Sequence, residues 1–450
     1  MPTLTTSFTF SPSSPLIFFL LLISTAANAA AASSLNHAVF SVKYKYAGQE
    51  PSLTALKAHD DRRQLRILAG VDLPLGGSGR PDAVGLYYAK IGIGTPPKDY
   101  YVQVDTGSDI MWVNSNVSCP YLQIYADGSS TAGYFVKDNV QYDRVSGDLQ
   151  TTSSNGSVIF GCGATQSDLS LSGEEALDGI LGFGKSNSSV ISQLASSGRV
   201  KKMFAHCLDG TNGGGIFAIG HVVQPKVNMT PLVPNQPHYN VNMTAVQVGR
   251  TFLKLPNDVF EIGDRKGTII DSGTTLAYLP EMVYEPLVSK IISQQPDLNV
   301  HTVHGEYTCF PYSESVDDAF PTVTFYFENS LHLKVYPHEY LFPFEGMWCI
   351  GWQNSGMQSS DRKNLTLLGD LVLSNKLVVY DLENQAIGWT EYNCSSNIKV
   401  KDEKTGTVHL VGSHYISSAS HSKSKWSIFL LIILLLHTLV YCDATTKNDC

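Results

Sequence analysis

The chain repeats itself over a long period. Val104-Asp105-Thr106-Gly107-Ser108-Asp109-Ile110-Met111-Trp112-Val113 is echoed by Ile270-Asp271-Ser272-Gly273-Thr274-Thr275-Leu276-Ala277-Tyr278-Leu279, and Gly179-Ile180-Leu181-Gly182 is echoed by Leu367-Leu368-Gly369. Each copy reads as a strand ending in Asp, a hydroxyl residue and Gly, closed later by an apolar pair and a second Gly. Such self-similarity marks one structural plan used twice, so two lobes are expected. A single triplet of this kind carries little weight, because roughly 0.2 would arise by chance in a chain this long. The paired constellation, with a matching element downstream of each copy, is specific.

The chain can support such a body. Its 450 residues suffice for two lobes, and 43% apolar residues with 22 Tyr and 19 Phe supply a core. A net charge of -9 without a basic stripe excludes a general nucleic-acid binder. From Gly85 onward the texture is β-branched and aromatic runs divided by Gly, Pro, Asn and Asp. Strands are expected at 87–93, 100–104, 134–142, 158–160, 216–219, 322–327, 331–336 and 377–380. Short helices are expected at 190–195, capped by Ser188 or Ser189, and at 280–292. The fold class is all-β and bilobal, with a cleft between an N-terminal lobe (85–235) and a C-terminal lobe (236–400).

The chemistry follows from what a carboxylate needs at the end of a buried strand. Val102 and Val104, and Ile269 and Ile270, seat the two strands, while Gly107 and Gly273 allow tight turns and close backbone approach. Asp105 and Asp271 then meet at the lobe interface. Two carboxylates about 3 Å apart cannot both ionise, so they share one proton at mildly acidic pH. The ionised partner takes a proton from water while the neutral one donates to a scissile carbonyl, which is acid-base peptide hydrolysis without a covalent intermediate. Thr106 and Ser272 brace the turns, and Ser108 and Thr274 sit where a hydroxyl can bond each carboxylate's outer oxygen. This mechanism requires no metal or organic cofactor. Gly213 to Ala218 matches a G-x-G-x-x-A pattern but precedes a β-like run, so a hairpin turn is expected; His301 and His304 lack a third ligand cluster.

These motifs resemble the pepsin-like aspartic proteases, and more closely the secreted, often GPI-anchored, nepenthesin-like plant group. Ile91-Gly92-Ile93-Gly94-Thr95-Pro96-Pro97, Phe160-Gly161-Cys162-Gly163, Leu177-Asp178-Gly179 and Asp381-Leu382-Glu383-Asn384-Gln385-Ala386-Ile387-Gly388-Trp389 extend the likeness. The resemblance implies that Asp105 and Asp271 form the catalytic dyad. It implies that Tyr125 is the flap tyrosine with Trp112 as its hydrogen-bond partner, and that Cys309 pairs with Cys349. Protein or peptide substrates, apolar residues beside the scissile bond and a monomeric enzyme are expected. One departure stands out. Asp105 lies 77 residues before Gly182, whereas Asp271 lies 98 before Gly369, and only residues 113–124 separate the first active-site strand from the flap motif. Relatives of the plant group carry a long cysteine-rich stretch there, so Cys119 lacks its usual partner and Cys162, Cys207 and Cys394 leave an odd thiol or pair differently.

Both ends read as addresses. Residues 16–23 are an apolar run followed by Ala27-Asn28-Ala29, a signal-peptide pattern over 1–29. Residues 30–84 carry seven basic and five acidic side chains and end in a Pro/Gly cluster, which reads as a removable prosegment or, equally, a solvated linker. After a linker at 401–425, residues 426–441 form a second apolar run, with small residues at Ser417-Ser418-Ala419 and a polar spacer between. A GPI attachment signal is the favoured reading, with a short transmembrane helix or a buried tail as alternatives. Seven N-x-S/T sequons (Asn116, Asn155, Asn187, Asn228, Asn242, Asn364, Asn393) and six scattered cysteines suit a secretory, oxidising route to the cell surface. The rival from another class is a catalytically impaired form or a non-catalytic binding or inhibitor protein on the same fold.

Overall fold

A computed structural model describes residues 70–80, 86–114, 120–125, 130–167, 178–263, 265–303, 307–358, 363–403 and 405–414. The expected signal peptide, the prosegment up to residue 69, Asn116, Cys119, His304 and the C-terminal apolar run lie outside these residues.

The sequence repeat is a repeat of strand pairing. In the first lobe Lys98–Asp105 runs parallel to Gly179–Gly182, which is antiparallel to Trp112–Asn114, which in turn runs parallel to Gln150–Ser167. In the second lobe Gly267–Ile270, Leu365–Leu368, Ala277–Leu279 and Trp352–Asn354 pair in the same senses. The closing glycines have a steric cause. A side chain at Gly182 would strike the Asp109 backbone, and one at Gly369 the carbonyl oxygen of Thr274, so only Gly lets the returning strand pass beneath the aspartate turn.

The lobes are joined by antiparallel strands. Met203–Leu208, from the first lobe's sequence, pairs with Lys376–Asp381 from the end of the second, flanked by Gly215–Ile219 and Ala386–Glu391. On this sheet sits an aromatic floor. Phe204 stacks on Tyr380 with centroids 4.3 Å apart, Phe183 meets Phe217 edge-on at 4.9 Å, and all four rings are fully buried. Burying each such ring contributes about 1.5–3 kcal/mol. Phe183 N–H donates to the Asp105 carbonyl at 2.8 Å, so the floor lies directly under the first aspartate turn.

The expected helices form as Val190–Ser196, where the Ser189 hydroxyl accepts from the Ser192 N–H, and Glu281–Ile292, entered through Pro280. Gly213, Gly214 and Gly215, all at positive φ, make the turn between the antiparallel strands Met203–Leu208 and Gly215–Ile219. Cys309 is bonded to Cys349 across adjacent strands, and Cys207 to Cys394 across 187 residues; Cys162 is buried.

Two segments expected outside the lobes take part in the sheets. Residues 70–80, read from composition as part of a prosegment reaching residue 84, are woven into the body: Val71–Asp72 lies between Gly215–Ile219 and Ser130–Gly147, and Leu75–Ser78 pairs with Leu86–Ile93. Leu75 is fully buried, which a Pro/Gly-rich reading could not anticipate. Likewise residues 401–414, expected as linker, continue a three-stranded sheet of His221–Gln224, Ile398–Lys401 and Val408–Val411, whose Ile398, Val400 and Val411 are buried.

Candidate active site

Alternation along Lys98–Asp105 sends Val102 and Val104 into the first-lobe core and leaves Gln103 and Asp105 sharing the opposite face. The chain then turns sharply. Gly107 N–H donates to Asp105 Oδ1 at 2.8 Å and Ser108 Oγ donates to Oδ2 at 2.5 Å. The second lobe repeats this: Gly273 N–H donates to Asp271 Oδ1 at 2.8 Å and Thr274 Oγ1 to Oδ2 at 2.7 Å.

Each turn is also packed against the other's aspartate. A methyl added at Gly107 would overlap the Asp271 carboxylate, and one at Gly273 would overlap Asp105 Oδ1. The structure therefore brings the two carboxylates face to face across a pair of glycines. Thr106 and Ser272 reach further than bracing their own turns. Ser272 N–H donates to Thr106 Oγ1 at 2.8 Å and Ser272 Oγ donates to the Val104 carbonyl at 3.3 Å, tying lobe to lobe with both side chains buried.

Burial first, and the Asp271 carboxylate second, push Asp105 up to about 7, while the Ser108 and Gly107 hydrogen bonds oppose the rise. Asp105 therefore keeps its proton above the ordinary carboxylate range, as a buried acid facing a second carboxylate must.

Tyr125 stands at the end of Pro120–Ile124, which pairs antiparallel with the first residues of Ser130–Gly147. Trp112 Nε1–H donates to the Tyr125 hydroxyl at 2.6 Å. Trp112 is buried with Tyr121 and Ile180, and Tyr125 and Phe135 pack against them. The hairpin forms even though only five residues, 115–119, join its first strand to Trp112–Asn114.

Three groups near the dyad escape the sequence reading. Asp370, directly after the closing Gly369, is buried with Oδ1 lacking a partner among the described residues; burial, then Asp271 and Asp105, hold it well above the carboxylate range. The first repeat has Phe183 at that place, so the odd acid was visible as a break in the echo. His206 is fully buried, its Nε2 3.0 Å from the Tyr380 hydroxyl, and burial pushes it down to about 3. Gln103 is the third: a polar residue in an otherwise apolar stretch, on the same face as Asp105. Among the described residues no cluster of three or more His, Cys, Asp or Glu could hold a metal.

Two lobes of one plan, each laying an aspartate against the other's turn glycine, define the class: a bilobal aspartic-protease architecture. The chain belongs to the eukaryotic aspartyl protease family, whose match extends over residues 86–392. It is 46% identical to aspartic proteinase 36 of Arabidopsis thaliana, over 88% of this chain and 92% of that protein. It is 24% identical to aspartic proteinase nepenthesin-2 of Nepenthes gracilis, over 70% of this chain and 79% of that protein. Among solved structures it shares its fold with conglutin gamma, a basic 7S globulin from lupine seeds, at TM-score 0.61 and 19% identity, over 72% of this chain and 96% of that one.

Proposed function

We propose that the protein is an aspartic endopeptidase that works at acidic pH, made by the secretory route and held at the outer cell surface through its C-terminal signal. One observation carries the catalytic reading: Asp105 and Asp271, each held by a glycine N–H and a hydroxyl, oppose each other across Gly107 and Gly273. In that setting the dyad enters the reaction with one proton. The ionised carboxylate removes a proton from water as its oxygen attacks the scissile carbonyl carbon, and the neutral carboxyl protonates the carbonyl oxygen. Collapse of the resulting gem-diol returns a proton to the dyad and protonates the amide nitrogen. The C–N bond breaks, giving a carboxylic acid and an amine.

An extended peptide would lie as a strand in the cleft, with the Tyr125 hairpin excluding water above it. The test is peptide cleavage at pH 4 to 5 by the purified protein, with Asp271→Asn as control; well-folded wild type without pepstatin-sensitive cleavage would sink the reading. Release of the protein from cells by a phosphatidylinositol-specific phospholipase tests the anchor. A second reading, a binding protein on the same fold, is favoured by the short 113–124 connection, and that same folded but inactive wild type is its signature.

A further inference from the structure

One glycine in the site is held on three sides. Gly273 N–H donates to Asp271 Oδ1, its Cα lies so close to Asp105 that a methyl would overlap Oδ1, and its carbonyl oxygen accepts from Gln103 Nε2 at 3.2 Å. Gln103 belongs to the other lobe, 170 residues away, two residues before Asp105 on the same strand face. The two donors described for the Asp271 carboxylate flank that carbonyl: the N–H of Gly273 itself and the hydroxyl of the next residue, Thr274. Whatever fixes the Gly273 peptide therefore fixes Asp271.

This contact breaks the twofold plan. Aligning the repeats on their aspartates places Ile269 opposite Gln103, and Ile269 is a buried hydrocarbon with no donor to send back. The cross-lobe bonds from Ser272 to Thr106 and Val104, by contrast, join residues that belong to the repeat. The first lobe alone thus reaches out to set the geometry of the second lobe's aspartate.

We propose that Gln103 is a positioning residue of the dyad: its amide, donating to the Gly273 carbonyl, holds the Asp271 turn at the separation from Asp105 that proton sharing requires. The inference rests on the peptidase reading above and extends it to a residue outside the repeat motif. A neutral side chain that donates is essential here, because a carboxylate at this place offers no donor and adds a charge beside Asp105, Asp271 and Asp370.

Two variants of the full chain test it, followed by steady-state peptide cleavage across pH 3 to 7 and by thermal denaturation. Gln103→Leu removes the donor at similar length and should lower kcat roughly tenfold at every pH, with KM and the melting temperature little changed. Gln103→Glu keeps a donor only while protonated. It should recover wild-type kcat at the acid end and lose it as pH rises, so that its alkaline limb falls below that of both wild type and Gln103→Leu. Wild-type kcat in Gln103→Leu overturns the proposal, as does equal loss in both variants at the acid end, which would reduce Gln103 to packing. A wild-type protein that cleaves nothing overturns the peptidase reading and this role with it, an outcome distinct from an active wild type with indifferent variants.

Discussion

Asp105 and His206 both meet the aromatic floor, the first through its backbone bond to Phe183 and the second through Tyr380, and they titrate in opposite senses. Asp105 is raised to about 7 by burial and by Asp271, so between about 4 and 7 the folded chain binds more protons than the unfolded one. Its share of stability is full below the ordinary carboxylate value and is lost as pH rises through 7. His206 is lowered to about 3 by burial, so between about 3 and 6.5 the unfolded chain binds more protons. Its share is full above 6.5 and is lost as pH falls. The two slopes offset each other across mildly acid pH, which lets a buried acid and a buried base coexist in a protein proposed to work there. Melting temperatures measured from pH 4 to 7 should show this directly. Asp105→Asn should gain on wild type towards neutral pH and match it near pH 4. His206→Gln, which retains a polar partner for Tyr380, should instead gain towards acid pH.

The Tyr125 hairpin is tied to the first lobe by the Trp112–Tyr125 hydrogen bond and by an aromatic cluster. Pro120–Ile124 presents Leu122 and Ile124 to solvent and turns Tyr121 inward, where its hydroxyl meets Thr131 at 3.1 Å. Tyr125→Phe keeps the ring but removes the acceptor for Trp112. Losing one such bond costs on the order of 1 kcal/mol, so kcat/KM should fall roughly fivefold and the melting temperature by no more than about 2–4 °C. An unchanged kcat/KM would show that the hairpin is held by packing alone. The amino-terminal strands make a second prediction at this scale. Leu73 N–H donates to the Phe217 carbonyl at 3.0 Å and Lys90 N–H to the Pro74 carbonyl at 3.1 Å, so residues 70–80 close a gap in the sheet. Any cut that removes a prosegment should fall before Gly70, and amino-terminal sequencing of the acid-matured protein should read a start at or before that residue.

Across the whole molecule, the two ends of the described chain are fastened to each other. After the Cys207–Cys394 disulfide the chain adds the small sheet, passes Leu410 along the Asp148–Leu149 turn, and ends with His414 in reciprocal backbone bonds to Gly215. His414 Nε2 lies 2.8 Å from Asp72 Oδ2, on the strand where residues 70–80 enter the body. Its hydrogen bond to Asp72 raises His414 above its ordinary value. Its contribution is therefore present below about pH 6.5 and lost as pH rises through the raised value. His414→Ala should lower the melting temperature more at pH 5 than at pH 8, and equal losses at both would mean that the pair is not charged in the fold. Because His414 gains its charge as pH falls through the raised value, the clasp to the buried Asp72 tightens towards acid pH.

Much of this protein is local and was legible as such. The two aspartate turns and the alternation that seats Val102 and Val104 depend on residues within a few places of one another, and their periodicity and turn chemistry are written in order along the chain; the closing glycines answer to distant backbone and were legible only because the chain repeats them. What lies beyond that range was not. Residues 70–80 look like a linker because their partners are Phe217 and Arg144; residues 401–411 look like one because the strand they continue pairs with His221. His206 carries no local mark of its burial, and Cys207 no mark of Cys394. The amide of Gln103 acquires its meaning only when a carbonyl 170 residues later arrives within 3.2 Å. By itself the sequence determined two strand-turn units and their acids; folding determined which groups lose water together and which backbone atoms face each other across the lobes, since desolvation and hydrogen bonding depend on neighbours in space.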